Sequence, residues 1–127
     1  SRRMGDPWPH NDLEIINMNF TTLYSDSVAD AREIADEVEN YGHADPMRLI
    51  EERAYTRGVE TYFATAFEMV DALRGDGNLF EEAEYQAKEM IDAGDLDTNF
   101  SDWVHEVAYH GYRLLLIEQI SRMGVEL

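Results

Sequence analysis

The chain has 127 residues, enough for one domain with a modest core, and 44% of them are hydrophobic, which argues against a disordered chain. Its formal net charge is −17, so direct binding to nucleic acid or to an anionic membrane is disfavoured and a basic partner is favoured. The absence of cysteine excludes a disulfide scaffold, and no apolar run approaches the roughly 20 residues that span a bilayer. We expect a cytoplasmic protein.

Residues 1–12, which include the proline-flanked Trp8, are interpreted as a flexible arm, and residues 13–127 as one acidic helical domain. Asn11 and Glu14 have capping-box spacing. Apolar residues then follow at helical intervals to Tyr24, but residues 16–24 also alternate as a strand would. The sequence offers no second strand to pair with, so we favour a helix here.

Two further helices are predicted in the middle of the chain. The first begins at Ser27 and stops at Gly42. The second begins at Asp45, followed by proline at the first helical position, and runs to Arg74. Gly58, in its centre, is expected to kink this helix or to admit another helix at close range.

The remaining chain is predicted to form two more helices. Asn78 caps a helix that ends at Gly94, and Asn99 caps a last helix that continues to about Met123. The sequence therefore predicts an all-α fold, a single-domain bundle of about five helices.

The last helix is apolar on two sides. One stripe contains Phe100, Val104, Val107, Gly111, Leu114 and Leu115, and the opposite stripe contains Tyr109, Tyr112, Leu116 and Ile120. A helix apolar on both sides either lies at the centre of its bundle or is shared with another molecule. The second stripe is therefore also a candidate self-association surface for a homodimer.

Histidines of the last helix do not have the spacing of a metal site. His105 and His110 are five residues apart and project about 140° apart around the helix, so one ion cannot easily take both. We find no serine-nucleophile motif and no phosphate-binding loop. We therefore predict no catalytic residues, no metal and no cofactor.

One enzymatic alternative remains open. Three Glu-x-x-Asp strings, at Glu33, Glu68 and Glu89, resemble the magnesium ligands of all-helical nucleotide pyrophosphohydrolases. That family pairs such a string with a Glu-Glu-x-x-Glu motif on a neighbouring helix. Here Tyr55 and Tyr85 stand where the third glutamate of that motif belongs, so the motif fails twice.

Acidic residues are concentrated in two regions. Residues 26–52 hold nine acids against two arginines, and residues 81–106 hold nine against one lysine. Crowding like charges on one helix costs a few tenths of a kcal/mol per pair, so stability alone does not explain these faces. The predicted partner-binding residues lie on them: Asp30, Glu33, Asp36, Glu37, Glu81, Glu82, Tyr85, Glu89 and Asp92.

Carboxylates held on rigid helices can imitate the phosphates of a nucleic acid and occupy a basic groove. The leading hypothesis is therefore a non-enzymatic DNA-mimic inhibitor of a nucleic-acid-binding protein. It resembles in character the small acidic proteins that phages and mobile elements use against restriction and CRISPR systems. The alternatives are a helical interaction or immunity-type module that does not imitate DNA, the magnesium-dependent hydrolase, and an acidic surface that reflects adaptation to salt.

Overall fold

The computed structural model describes residues 19–42, 44–92 and 99–127, and this part of the chain is all-helical. It forms five helices: α1 (Phe20–Asn40), α2 (Pro46–Gly58), α3 (Phe63–Leu73), α4 (Gly77–Asp92) and α5 (Phe100–Arg122). No strand occurs in these ranges, and no helix in them is long and apolar enough to cross a membrane. The predicted all-α class is confirmed.

Helix α5 is the centre of the bundle. It packs against each of the other four helices, and its side chains contribute more of the buried core than those of any of them. With 23 residues it is about 34 Å long at 1.5 Å per residue. The two apolar sides that the sequence showed are therefore covered by neighbouring helices of the same chain, except at Phe100, at the beginning of the helix, which is exposed.

Helix α1 joins what the sequence divided into two helices. It begins after Asn19, whose side chain accepts a hydrogen bond from the Thr22 N–H at 2.9 Å, and runs unbroken to Asn40. The predicted start at Ser27 is wrong, because Ser27 lies inside the helix, where its buried hydroxyl donates to the Tyr24 carbonyl. The strand alternative is wrong for residues 20–24, which are helical.

The single helix predicted from Asp45 to Arg74 is two helices. Asp45 does cap α2, accepting from the Met47 N–H at 3.1 Å, but α2 ends at Gly58. An unbroken helix of this length would run about 45 Å, well past the end of α5. By breaking after Gly58 the chain folds back, so that both α2 and α3 pack along the central helix.

Glycine permits a close contact between the backbones of two helices. A Cβ built on Gly58 would lie 2.7 Å from the Tyr109 backbone nitrogen, so α2 and α5 meet backbone to backbone at this point. His105 lies next to this contact, and its Nδ1 donates to the Gly58 carbonyl at 2.9 Å. That bond satisfies one of the carbonyls left open at the end of α2.

The two remaining helix starts differ in their outcome. Asn99 caps α5 as predicted, accepting from the Asp102 N–H at 2.8 Å, and α5 ends one residue before Met123. The predicted cap at Asn78 is wrong: α4 begins at Gly77, and the Asp76 carboxylate accepts from the Leu79 N–H at 3.3 Å. The arm of residues 1–12, the predicted cap at Asn11 and the predicted stop at Gly94 lie outside the described residues.

Candidate partner-binding surface

The acidic face predicted on α1 contains one residue that is not on the surface. Asp30 is only 4% exposed and accepts hydrogen bonds from three side chains. Arg53 donates at 2.6 Å, Arg57 donates to both carboxylate oxygens at 2.9 and 3.0 Å, and the Tyr112 hydroxyl donates at 2.5 Å. The expectation that it lies on an exposed face is therefore wrong, because its buried carboxylate ties α1 to α2 and α5.

Charge and burial act in opposite directions on the Asp30 network. Burial by itself raises the pKa of Asp30, but the hydrogen bonds from Arg57 and Tyr112 and the charges of both arginines outweigh it, so the pKa lies below its ordinary value. The pKa of Tyr112 is raised, by burial first and by the neighbouring carboxylate second. Both groups are thus held in the charge states that the network needs, Asp30 ionised and Tyr112 neutral.

A polar cleft of about 430 Å³ opens beside this network. It is lined by Asp26 and Glu33 of α1, by Arg57, and by three threonines from α2, α3 and the segment between them. The two buried groups that reach it, Asp30 and Tyr112, already bond to each other. Among the described residues that line the cleft, the buried acid and the buried phenol are therefore already engaged with each other.

The rest of the α1 face remains acidic but is partly neutralised. Glu33 accepts from Arg53 at 3.0 Å, whereas Asp36 and Glu37 are exposed and make no ion pair with the described residues. Helix α1 packs against α2, α3 and α5, while α4 packs against α3 and α5. The two acidic faces thus lie on helices with different packing neighbours.

The face predicted on α4 is present as a continuous exposed surface, which we call the acidic face. It comprises Glu81, Glu82, Tyr85, Glu89 and Asp92, and all five are exposed. None of these carboxylates, nor that of neighbouring Glu84, forms an ion pair within the described parts of the chain. Tyr85 lies at the centre, 58% exposed, and its hydrogen bond to Glu89 raises the pKa of its phenol.

A groove of about 370 Å³ runs along one edge of the acidic face, where α4 packs on the beginning of α5. Tyr85 and Ile91 lie on its α4 side and Trp103 on its α5 side. Glu81, Glu84 and Lys88 complete its lining. The groove therefore combines two aromatic side chains with two carboxylates.

Trp103, which is itself partly buried, also belongs to a second set of neighbouring rings, which we call the aromatic strip: Phe63, Phe67, Phe100 and Trp103. Trp103 stacks on Phe100 with 5.9 Å between ring centroids, and Phe100 lies 6.1 and 6.3 Å from Phe63 and Phe67. The three phenylalanines are 41, 42 and 59% exposed. Apolar area gathered in this way on a surface marks an interaction site more often than scattered hydrophobic residues do.

Sequence reasoning missed the aromatic strip. It placed Phe100 in the buried stripe of the last helix, which is wrong because Phe100 is the most exposed ring of the strip. The available signal was the helical spacing of two aromatic pairs, Phe63 with Phe67 and Phe100 with Trp103. That signal shows which rings share a face of their helix but not that the face is left open.

The predicted self-association surface is covered within one chain. Tyr112, Leu116 and Ile120 are 0 to 1% exposed, and Tyr109 is partly buried beside Gly58. These side chains are not available to a second copy of the folded chain, so this face does not explain a homodimer.

Acid and histidine side chains do not converge on a metal-ion site in the part of the chain that the structure describes. The three Glu-x-x-Asp strings lie on three different helices, α1, α3 and α4. The two histidines of α5 face different neighbours, as their spacing predicted. His105 bonds to the end of α2, and His110 lies 3.3 Å from Glu106 on α5 itself.

Comparison with known proteins adds no relative: no family model, no curated protein and no solved structure matches this chain.

Proposed function

We propose that this protein acts by binding a basic surface of another protein through the acidic face of α4, without chemistry of its own. The observation that carries the proposal is the charge on this one helix. Five carboxylates lie between Glu81 and Asp92 with no ion pair among the described residues, whereas Asp30, Glu33, Glu52 and Glu118 are each paired with an arginine.

The position of these acids on the helix supports a functional origin. Glu89 and Asp92 lie in the last turn of α4, which contains no basic residue. The partial negative charge at a helix C-terminus makes an acid there unfavourable by roughly 0.3–1 kcal/mol. Folding stability would be better served by lysine or arginine at these positions, so a partner that requires negative charge is a reason to keep them.

The more specific form of the proposal is competition with nucleic acid. Five acids over the about 16 Å from Glu81 to Asp92 give roughly one charge per 4 Å, close to the phosphate spacing of about 3.4 Å along one strand of duplex DNA. A helix with this charge density can enter a groove built for one strand and meet its arginines and lysines. Binding of that kind is weakened steeply by salt.

A pull-down from the source cells at low salt, with the wild-type chain and Glu81→Gln/Glu82→Gln/Glu89→Gln as baits, tests the proposal. We expect the wild type to retain a nucleic-acid-binding protein that duplex DNA displaces, and the triple variant to lose most of it. Glu39→Gln/Glu51→Gln/Glu126→Gln, the same change in charge at exposed positions outside α4 and outside the predicted partner-binding residues, is the matched control and should retain it. Equal capture by all three baits, or capture of acidic proteins alone, would contradict the proposal.

A second candidate, an interaction module that does not imitate DNA, is favoured by the aromatic strip. Such a module would hold its partner mainly by apolar contacts, so its binding would tolerate salt and duplex DNA would not displace the partner. The same pull-down, repeated at about 0.5 M NaCl, separates the two candidates.

A further inference from the structure

The aromatic strip and the groove beside it form one continuous surface, because Trp103 belongs to both. The strip is built at the beginnings of α3 and α5, which lie side by side, as shown by the contact of Phe63 with Phe100 at one end and of Leu73 with Gly111 at the other. From the strip the surface continues past Trp103 to Tyr85 and the acidic face. An apolar centre is thus bordered on one side by carboxylates.

We propose that this combined surface docks a basic amphipathic helix of the partner protein, with apolar side chains on the aromatic strip and lysines or arginines against Glu81 and Glu84. The proposal rests on the function proposed above and adds the apolar anchor. An amphipathic helix laid in a groove presents apolar side chains at three- and four-residue intervals and cationic side chains along their edges. The strip and the acidic border of the groove are complementary to that arrangement.

Charge selects this occupant over a second copy of the chain or a membrane. A second copy would bring two chains of formal net charge −17 together, and an anionic lipid surface would be repelled by the same charge. The N-terminal segment 1–18 carries two arginines against three acids and so offers no basic excess. A basic helix gains from both the apolar and the acidic part of the surface.

The test follows the fluorescence of Trp103 in Trp8→Phe, which leaves it as the single tryptophan. The probes are two synthetic 18-residue peptides of equal positive charge, one with leucine at helical spacing among lysines and one with serine in place of each leucine. We expect the leucine peptide to shift the Trp103 emission to shorter wavelength and to bind at least tenfold more tightly than the serine peptide. Equal affinity of the two peptides would overturn the proposal.

Substitutions locate the binding. Phe67→Ser/Phe100→Ser should lower the affinity for the leucine peptide at least tenfold and change the affinity for the serine peptide less than twofold. Phe100→Ser alone should also lower the affinity for the leucine peptide. Tyr41→Ser, which removes an equally exposed ring at the end of α1, is the control and should change neither. Strip variants that bind the leucine peptide as the parent does would refute the docking site.

Failure of this inference is distinguishable from failure of the proposed function. Glu81→Gln/Glu82→Gln/Glu89→Gln should weaken the binding of both peptides. If it does so while the strip variants bind both peptides as the parent does, the proposed docking site is wrong and the acidic face remains supported. If the glutamine variant weakens neither peptide, the acidic face itself is wrong. If the wild type sediments faster than the strip variants when no peptide is present, the strip binds a second copy of the chain. If Ile15→Ser/Ile16→Ser binds the peptide tenfold more tightly than the parent does, the strip is occupied by the chain's own N-terminal segment.

Discussion

A single carboxylate, that of Asp30, joins three helices through four hydrogen bonds. We expect Asp30→Asn to lower the free energy of unfolding by about 2–4 kcal/mol at neutral pH, because it removes the negative charge and one of the two acceptor oxygens that a buried tyrosine and two arginines share. The loss stays below the largest values for buried ion pairs, since Arg57 is about half exposed and can turn to water. Urea unfolding followed by circular dichroism measures it.

The pH dependence of that difference identifies its source. The folded-state pKa of Asp30 lies below its ordinary value of 3.8, so its contribution is complete above 3.8 and is lost as the pH falls through the lower folded-state pKa. The gap between wild type and Asp30→Asn should therefore narrow below about pH 3.8. Asp36→Asn, at an exposed position of the same helix, should change stability by less than about 0.5 kcal/mol. A gap that is constant down to pH 2 would show that the charge of Asp30 is not responsible.

The burial of Asp30 also shows where prediction from the sequence stops at this scale. Helical periodicity placed it correctly opposite the apolar stripe of α1, which on an isolated helix is the solvent side. Its partners Arg53 and Arg57 lie 23 and 27 residues further along the chain. Local spacing contains no information about such partners, so an interior ion pair and an exposed acid look the same.

At the scale of helices, local signals located most of the elements and misjudged their boundaries. The caps at Asp45 and Asn99 were predictable because the capping oxygen and the N–H it accepts from are two or three residues apart. The break between α2 and α3 was not, because residues 46–74 read as one helix. It is set by the length of the central helix and by the close contact at Gly58, which are properties of the assembled bundle.

Helix packing at two glycines gives a graded prediction. A Cβ at Gly58 would meet the backbone of α5 at 2.7 to 3.0 Å, whereas the three atoms nearest to one at Gly111 all belong to the Leu73 side chain. We expect Gly58→Ala to destabilise by up to about 3 kcal/mol, because backbone atoms cannot turn aside, and Gly111→Ala by about 1–2 kcal/mol. Leu73→Val should recover part of the loss in Gly111→Ala and none in Gly58→Ala. Thermal unfolding of the single and double variants measures this coupling.

The matched control for both is Gly77→Ala in the first turn of α4, where a Cβ would meet nothing within 4 Å. Alanine is favoured over glycine in a helix by up to about 1 kcal/mol, so this variant should be neutral or more stable. Equal destabilisation at positions 58, 77 and 111 would show that glycine acts through something other than close packing.

Over the whole molecule, one part of the candidate surface, the acidic face, could be predicted from the sequence, and the other part, the aromatic strip, could not. The acidic face of α4 followed from charge and period, because no arginine of another helix pairs with its acids in the described chain, as Arg53 and Arg57 do with Asp30 of α1. The aromatic strip could not be predicted in this way, because it joins two helices that are far apart in the sequence. Helix α3 ends at Leu73, and α5 begins 27 residues later, at Phe100. The charge of a helix can be counted from the sequence. Whether an apolar face is exposed depends on which part of the helix surface the packing of the other helices leaves uncovered.

Because the net charge is −17, we expect salt to change folding stability and affinity for a basic partner in opposite directions. Mutual repulsion of the acids destabilises the compact state, so added NaCl should raise the unfolding temperature while it weakens binding of a basic partner. If the charge serves a partner, the gain in unfolding temperature should saturate by about 0.5 M, where the screening length is only a few Å. If the charge reflects adaptation to salt, the chain should be unstable in dilute buffer and gain stability up to molar concentrations. In either case Glu81→Gln/Glu82→Gln/Glu89→Gln should gain less in unfolding temperature than the wild type does. Thermal unfolding of both chains across a series of NaCl concentrations decides between the two origins of the charge.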